Sequence, residues 1–421
     1  MTIFEPTENL TEFDAFVEEN GGSILQTSKG AENKPEWQSH FIVGRRDGKV
    51  VLTCLLLERK IARFITVGYI PLGFVCDYGD PKLLRDALAF VGDYTQKHFI
   101  DVCFVDPTVP YLIEGEEQAA GIALQKNMVE FGLIKTKGSR PYIQPDTTFV
   151  IDLYDEGKEK NIEELISGFE KGIKYSIKNA EVRGLGYKSY LYSDIQKDPA
   201  IFDEFIQIMS QTMGRLGSMT RGATYFKNLL KNFEPYAYLN MVYYDAVADR
   251  MKNEENEAAL KRLSTETESK AFKELEIKIS SYQKRVAELE KNNIDIKKAD
   301  KIYLAGSITT LFGDTADCLY GGSKNLLRNL ARPSHFLNYK RIEDSVRHHL
   351  KYHDLARIYL ASHDQKDENY GLYLFKKSFG AKEIKYVGEY AFVNNRFAYW
   401  LLVRVSPAIR SFVGKIKSIR G

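Results

Sequence analysis

The sequence predicts a mixed α/β protein of two similar lobes, with a long helical hairpin inserted into the second. Three observations predict it. Short apolar runs broken by turns alternate with stretches of helical spacing. That pattern pauses near residue 154 and then resumes, and residues 248–299 hold no Gly or Pro amid dense Glu and Lys. The 421 residues suffice for two cores, and 44% apolar with 12% aromatic content excludes disorder. The formal net charge is only +2, so an anionic partner must be held by local clusters.

In the first lobe, Leu10–Glu19 and Pro81–His98 carry apolar residues at helical steps, the latter through Leu83, Leu84, Ala87, Leu88, Phe90 and Val91. Between them HFIVG, KVVLTCLLLE, ARFITVGYI and FVCDY read as a strand meander, turning at Asp47-Gly48. IDVCFVDP is a strand closed by Pro107, Glu114–Phe131 a helix, and Tyr142–Leu153 a strand pair. The acidic stretch 154–160 reads as a linker. Beyond it, Asn161–Val182 and Pro199–Met213 are helical by period, and Tyr236–Tyr244 is a strand. KIYLAGSITTLFGDTADCLYGG makes two strands joined at Gly313-Asp314, followed by a helix from Pro333 to Tyr352 and the strand ARIYLAS. These readings assign residues 1–153 with 381–421 to the first lobe and 154–380 to the second.

In the insertion 248–299, Leu275, Ile279, Tyr282, Val286 and Leu289 recur at steps of four and three, with Leu260 and Leu263 before them. That spacing predicts an antiparallel coiled coil turning near Ser264–Ser269. Acids match its bases, which favours a solvated face over a grip on nucleic acid. From Arg396 onward the tail holds Arg404, Arg410, Lys415, Lys417 and Arg420 with no acid, interleaved with Trp400 and aliphatics. A basic amphipathic helix after Pro407 would bind an anionic membrane surface. A tail docked on the body with its cations in water is the alternative.

The N-terminus lacks a signal-peptide pattern and no run reaches the roughly 18 apolar residues of a membrane span, so the expected location is cytoplasmic. Cys54, Cys76, Cys103 and Cys318 sit singly in apolar runs and read as reduced core thiols. GxxxxGK[ST], GxGxxG, HExxH and GxSxG are missing. His349 and His353 share i, i+4 spacing but lack a third ligand, so they read as a solvated helix face and no metal is expected.

The string Gly371-Leu372-Tyr373-Leu374-Phe375-Lys376-Lys377-Ser378-Phe379-Gly380 reads locally as a helix with Phe375 and Phe379 packed at i, i+4 and Gly380 ending it. It also resembles GLxxFKxxFG, the signature of the Fem family of peptidoglycan-bridge aminoacyltransferases. Matches follow in the family's order. Leu25-Gln26 with Ala31, Lys34 and Trp37 resembles its opening segment, Tyr69-Ile70-Pro71 with Gly73 its YxPxG strand, and Asp106-Pro107 its DP turn. Tyr142-Ile143-Gln144-Pro145 is similar to the IQP strand, Ile177-Lys178-Asn179-Ala180 with Gly184 to the IKKA helix, and Arg215 with Arg221, Tyr225 and Phe226 to RxxxYF. The chain departs from the pattern at Leu360–Asp364, Asp146, Leu72 and Phe74.

The resemblance implies two acetyltransferase-like (GNAT-like) lobes and transfer of serine, alanine or glycine from aminoacyl-tRNA to the stem lysine of a cell-wall precursor, lipid II or its UDP-linked form. No cofactor is implied. Because the tRNA ester is already activated, alignment and oxyanion stabilisation are the main tasks. Lys376 is expected to supply the charge and Asp106 to accept or orient the amine's proton. The resemblance gives Lys34 and Arg221 the precursor's pyrophosphate, with Tyr320 lining the groove and Arg215 and Phe375 on the substrate side. Lys171, Lys174 and Lys178 would meet tRNA phosphates. Two other readings remain open: an acetyl-CoA-dependent N-acyltransferase, for which Arg183-Gly184-Leu185-Gly186 is a poor pyrophosphate loop, and a non-enzymatic membrane-associated coiled-coil adaptor.

Overall fold

The computed structural model describes residues 2–62, 64–136, 143–215, 221–263, 267, 269–360 and 362–405. Two open sheets organise the chain. The first runs Ile3–Pro6, Gln38–Arg46, Lys49–Ala62, Ile65–Ile70, Val102–Val105, Tyr390–Val393 and Ile134–Lys135, with Val75–Cys76 paired to the long third strand. The second runs Leu185–Tyr190, Ala237–Asp245, Lys301–Phe312, Thr315–Ser323, Tyr352–Asp354, Thr147–Asp152, Lys382–Tyr386, Pro110–Ile113 and Glu116–Glu117. Pairing is antiparallel except at one place in each sheet. Ile65–Ile70 lies parallel to Val102–Val105, and Thr315–Asp317 parallel to Tyr352–Asp354.

The chain crosses between sheets more than the expected boundaries allow. Thr147–Asp152 and Lys382–Tyr386, which boundaries at 153 and 381 put with the first lobe, pair with each other in the second sheet. Pro110–Ile113 adds to the same edge, and Tyr390–Val393 then returns to the first sheet beside Val102–Val105. The lobes are stitched by strand exchange rather than joined by a linker. The expected linker is itself a small hairpin, Tyr154–Asp155 with Lys158–Glu159.

Local chemistry sets the helices. Asp80 caps the helix Pro81–Lys97 by accepting from Lys82 N and Leu83 N, and Pro81 occupies the first turn, where its missing N–H does no harm. Leu83, Leu84, Ala87, Leu88 and Val91 form its buried face. Other expectations are corrected. The helix after Pro107 spans only Ala119–Glu130, because Pro110–Glu117 is drawn into strand pairing. Asn161–Val182 breaks at Gly168 into Ile162–Ser167 and Lys171–Lys178. Tyr142 lies outside the described residues, and the expected strand pair there contributes the single strand Thr147–Asp152. The helix from Pro333 stops at Arg347, His349 turns with φ 55, and Tyr352–Asp354 is a strand. His349 and His353 therefore share no helix: His353 is fully buried with its Nδ1 2.7 Å from Ser345 Oγ. ARIYLAS is not a strand; only Ile358 bridges, to Thr147.

Within the insertion, Ala246–Arg262 and Lys270–Lys291 pack together; Ile279 and Leu289 are buried, Leu289 in one cluster with Leu185, Val242 and Leu304 of the second sheet. Arg285 is buried as well, donating through Nη2 to Asp249 Oδ1 at 2.8 Å and through Nε to Oδ2 at 2.9 Å. Residues 264–266 and 268, most of the expected turn, lie outside the described residues. Cys54 and Cys103 are buried, Cys76 and Cys318 half-buried, and all four are free thiols. One apolar cluster spans both lobes, joining Phe13, Val17, Leu57 and Tyr69 to Phe205, Phe226, Met241 and Ile308.

Candidate active site

Where two parallel strands part company, a sheet opens a gap at their carboxyl ends, the usual place for a ligand in open α/β sheets. Each lobe has one such gap. In the first, the pairing ends at Ile70 and Val105, and the chain stays bridged just beyond, Thr108 N donating to Leu72 O at 3.3 Å. Leu72 N donates to Asp106 Oδ1 at 2.8 Å, and Gln26 Nε2 donates to Gly73 O at 3.1 Å, so protein atoms fill the opening. Asp106 is 5% exposed, and its Oδ2 makes no hydrogen bond. The nearest cation is Arg357 Nη1 at 3.6 Å, an ion-pair distance too long for a hydrogen bond. Burial pushes the Asp106 carboxyl up to about 6, while Arg357, the Leu72 amide and the Tyr69 hydroxyl offset part of that rise. Tyr69 OH in turn accepts from Gln144 Nε2 at 2.9 Å.

In the second lobe the strands diverge after Asp317 and Asp354, which are register partners. Burial and mutual repulsion raise Asp317; burial likewise raises Asp354, which Thr148, Lys376 and Arg357 partly hold down. Asp354 Oδ1 accepts from Thr148 Oγ1 at 2.6 Å and from Ala356 N at 2.7 Å. Ala356 is forced to φ 76, a strained value for a residue with a Cβ. The turn it makes presents the Leu355 and Ala356 carbonyls to Lys376 Nζ, the latter at 2.9 Å. Lys376 is 5% exposed, and burial pulls its ammonium down to about 8 against the attraction of Asp354. The next residue, Arg357, stacks 4.7 Å over Tyr386 and donates to Pro145 O at 3.3 Å. Arg357 thereby ties the two gaps together, one neighbour being Asp106 and another Asp354.

A cationic wall faces Asp106. Burial pulls Lys34 down to about 8, with Glu36 opposing and Arg221 adding to the fall. Arg221 lies 4.9 Å over the Tyr225 ring, whose hydroxyl is 2.9 Å from Tyr320 OH. Lys34, Arg221, Tyr320 and Asp106 are thus brought together across the lobes, and Lys376 joins them through Asp354 and Arg357. Other expected residues are placed differently. Arg215 donates to Ser323 O at 2.6 Å, three residues beyond Tyr320 on the same strand, and to Thr212 Oγ1 at 3.3 Å. Phe375 points away from the gap, with its ring 5.4 Å from Phe379 and 5.2 Å from His335, so packing occupies it. Lys171 and Lys178 are exposed on their helix, whereas Lys174 Nζ donates to Ser167 O at 2.6 Å. Trp400 is exposed; Arg410, Lys415, Lys417 and Arg420 lie outside the described residues, as does the side chain of Arg404.

Sequence reasoning missed Asp317, Asp354 and Arg357. A signal existed for the second of these, since His353-Asp354-Leu355 repeats the pattern of a strand ending on an Asp that Val105-Asp106-Pro107 shows in the first lobe. His40, Glu58 and His98 also gather, but His40 is already hydrogen-bonded to Glu58 and to Tyr94, both at 3.0 Å.

The model of the FemAB family matches residues 9–405. This chain belongs to the FemAB family. Curated FemAB relatives include the lipid II:glycine glycyltransferases of Staphylococcus aureus strains MRSA252 and MSSA476, each 28% identical over 97% of both chains. Among solved structures, the crystal structure of FemX is 25% identical with a TM-score of 0.73, covering 96% of this chain and all of that one. For a FemAB chain the arrangement joins three chemical capacities: a buried cation for developing negative charge, an unpartnered carboxylate oxygen for a proton, and a paired cationic wall for a dianion.

Proposed function

We propose that this FemAB protein transfers one amino acid from aminoacyl-tRNA to the side-chain amine of the stem lysine in a peptidoglycan precursor, within interpeptide bridge formation. The observation that supports the reading is the run of charged neighbours from the Lys34–Arg221 pair to Asp106 and, through Arg357 and Asp354, to Lys376. The neutral amine attacks the ester carbonyl, an N–C bond forms, and the C–O bond to the tRNA ribose breaks. Asp106 takes the amine's proton and returns it to the leaving ribose oxygen, while Lys376 steadies the oxyanion. Lys34 and Arg221 hold the precursor's diphosphate beside Tyr320, and Lys171 and Lys178 contact the tRNA backbone. The parallel gap in each lobe supports an acetyltransferase-like (GNAT-like) ancestry for both.

Glycine is the first donor to test, since relatives at 28% identity carry glycyltransferase names; serine and alanine follow. The lipid-linked precursor is the favoured acceptor, which places the protein at the inner face of the cell membrane. An acetyl-CoA-dependent reaction is disfavoured by one observation. Gly184, at φ 73, turns straight into the strand Leu185–Tyr190, so no helix N-terminus follows to hold a pyrophosphate. The deciding experiment supplies purified protein with glycyl-, seryl- or alanyl-tRNA and lipid II, and weighs the product. A precursor heavier by one residue supports the proposal; no product with any of the three donors overturns it.

A further inference from the structure

The four most exposed aromatic side chains among the described residues of the first lobe are gathered at one corner. Phe64, Phe99, Phe397 and Trp400 are 87%, 86%, 68% and 52% exposed. One residue, Asp101, draws their backbones together. Thr66 N, two residues after Phe64, donates to Asp101 Oδ2 at 2.8 Å, and Asp101 itself lies two residues after Phe99. Asp101 Oδ1 accepts from Asn395 Nδ2 at 2.8 Å, and its carbonyl accepts from Asn394 N and Asn395 N, both at 2.9 Å. Asn395 then caps the helix Arg396–Trp400, on which Phe397 and Trp400 stack at 6.0 Å.

Phe99 holds φ 55, a conformation that a bulky residue adopts only under strain and that Asn or Gly would take more easily. A ring held outward at the expense of its backbone points to a use in solvent. Lys60, Lys97 and Arg396 are exposed around the same corner, while both carboxylate oxygens of Asp101 are occupied. Past Val405 the sequence adds Arg410, Lys415, Lys417 and Arg420 and no acid. Aromatic rings rimmed by cations match a lipid interface, where rings sit among headgroups and cations meet anionic lipid.

We propose that this corner of the first lobe docks on an anionic membrane surface, with Phe64, Phe99, Phe397 and Trp400 entering the headgroup layer. From the proposed function it borrows only the lipid anchor of the acceptor. The corner lies at the start of the strands Ile65–Ile70 and Val102–Val105, whereas Asp106 follows their ends. A six-residue strand spans about 20 Å, so docking and chemistry are separable.

The test uses full-length protein and vesicles of equal phosphatidylcholine and phosphatidylglycerol, without tRNA or precursor. Combining Phe64→Ser, Phe99→Asn, Phe397→Ser and Trp400→Ser should weaken binding at least about tenfold, and Phe99→Asn alone, which suits the left-handed backbone, a few-fold. In a Trp37→Phe background, Trp400 emission should shift to the blue on binding to these vesicles and not to pure phosphatidylcholine. Wild-type binding by a folded combined variant, an unmoved Trp400 emission, or a patch-dependent dimer that ignores vesicles would each overturn the proposal. Vesicle binding by a protein that transfers nothing would instead leave the docking intact and sink the proposed function.

Discussion

The two lobes carry the same device, a parallel strand pair that parts at its carboxyl end, and fill it in opposite ways. In the first lobe the gap is plugged by a side chain bonded to backbone: Asp106 accepts from Leu72 N, and Gly73 packs against Pro107. In the second the gap is occupied by a buried ammonium, Lys376, held by the Leu355 and Ala356 carbonyls, the Phe149 ring and the attraction of Asp354, which repels its own neighbour Asp317. The difference teaches that one lobe has become a fixed wall and the other the charged centre. Arg357 couples them by reaching from the second lobe to within 3.6 Å of Asp106 Oδ2, which makes no hydrogen bond.

Breaking the charged centre should have the largest effect. Lys376→Met removes the cation but keeps much of the volume, and kcat should fall on the order of 10³-fold with the precursor's KM changed little, as for loss of an oxyanion donor. Steady-state transfer assays measure it, and a rise in KM alone would make Lys376 a binding residue. Asp106→Asn tests the wall and should lower kcat about 10²-fold, the usual worth of a positioned base.

The pH profile of kcat/KM sharpens the same contrast. The acceptor lysine, with an ordinary pKa near 10.4, gains neutral amine tenfold per pH unit throughout. Asp106 at about 6 adds a second proton loss below that pH, and Lys376 at about 8 removes needed charge above it. The logarithmic slope should therefore be two below pH 6, one between 6 and 8, and minus one above 8, where Lys376 and Lys34 both lose their charge. Asp106→Asn should reduce the acid slope to one. Lys376→Arg, which cannot deprotonate, should raise the slope past pH 8 by one. Lys34 also titrates at about 8, so Lys34→Arg must be run beside it. Acid unfolding does not mimic the first break. Asp106 binds its proton more tightly folded than unfolded, so as pH falls through 6 toward 4 this group favours the fold.

Gly73→Ala tests whether the first gap is as rigid as the packing requires. Gly73 has φ 81, and an added Cβ would stand 2.5 Å from Tyr78 OH and 2.9 Å from Pro107 Cα. A loss of about 1–3 kcal/mol in stability is expected, read by thermal or denaturant unfolding. A neutral result would mean the wall yields, and the contrast between the gaps would lapse.

How much of this was legible depends on how local the cause is. Pro81–Lys97 was readable because a cap, a proline and an apolar stripe lie within one segment. Lys376, Asp106, Lys34 and Arg221 were singled out through resemblance, since each stands in a short ordered motif. Asp317, Asp354 and Arg357 were not. Their meaning comes from register between Thr315–Asp317 and Tyr352–Asp354, thirty-odd residues apart in sequence, and a three-residue strand shows no period. Ala356 at φ 76 likewise looks like any alanine until its backbone is seen. The strand exchange between the sheets was hidden for the same reason, because it leaves no compositional mark.

The smallest predicted effect concerns which lobe meets the tRNA. If the second lobe is the donor side, Lys171→Gln and Lys178→Gln should each weaken tRNA binding a few-fold and lower the slope of log Kd against log salt by about 0.7–0.9, one phosphate apiece. Lys174→Gln should do less, since its ammonium already donates to Ser167 O at 2.6 Å and is not free for a phosphate. None of the three should move the precursor's KM, whose proposed cations are Lys34 and Arg221, neighbours of Asp106. Filter binding across a salt series decides it. Unchanged slopes for all three would return this helix face to bulk solvent and leave the donor's approach to be sought on the first lobe.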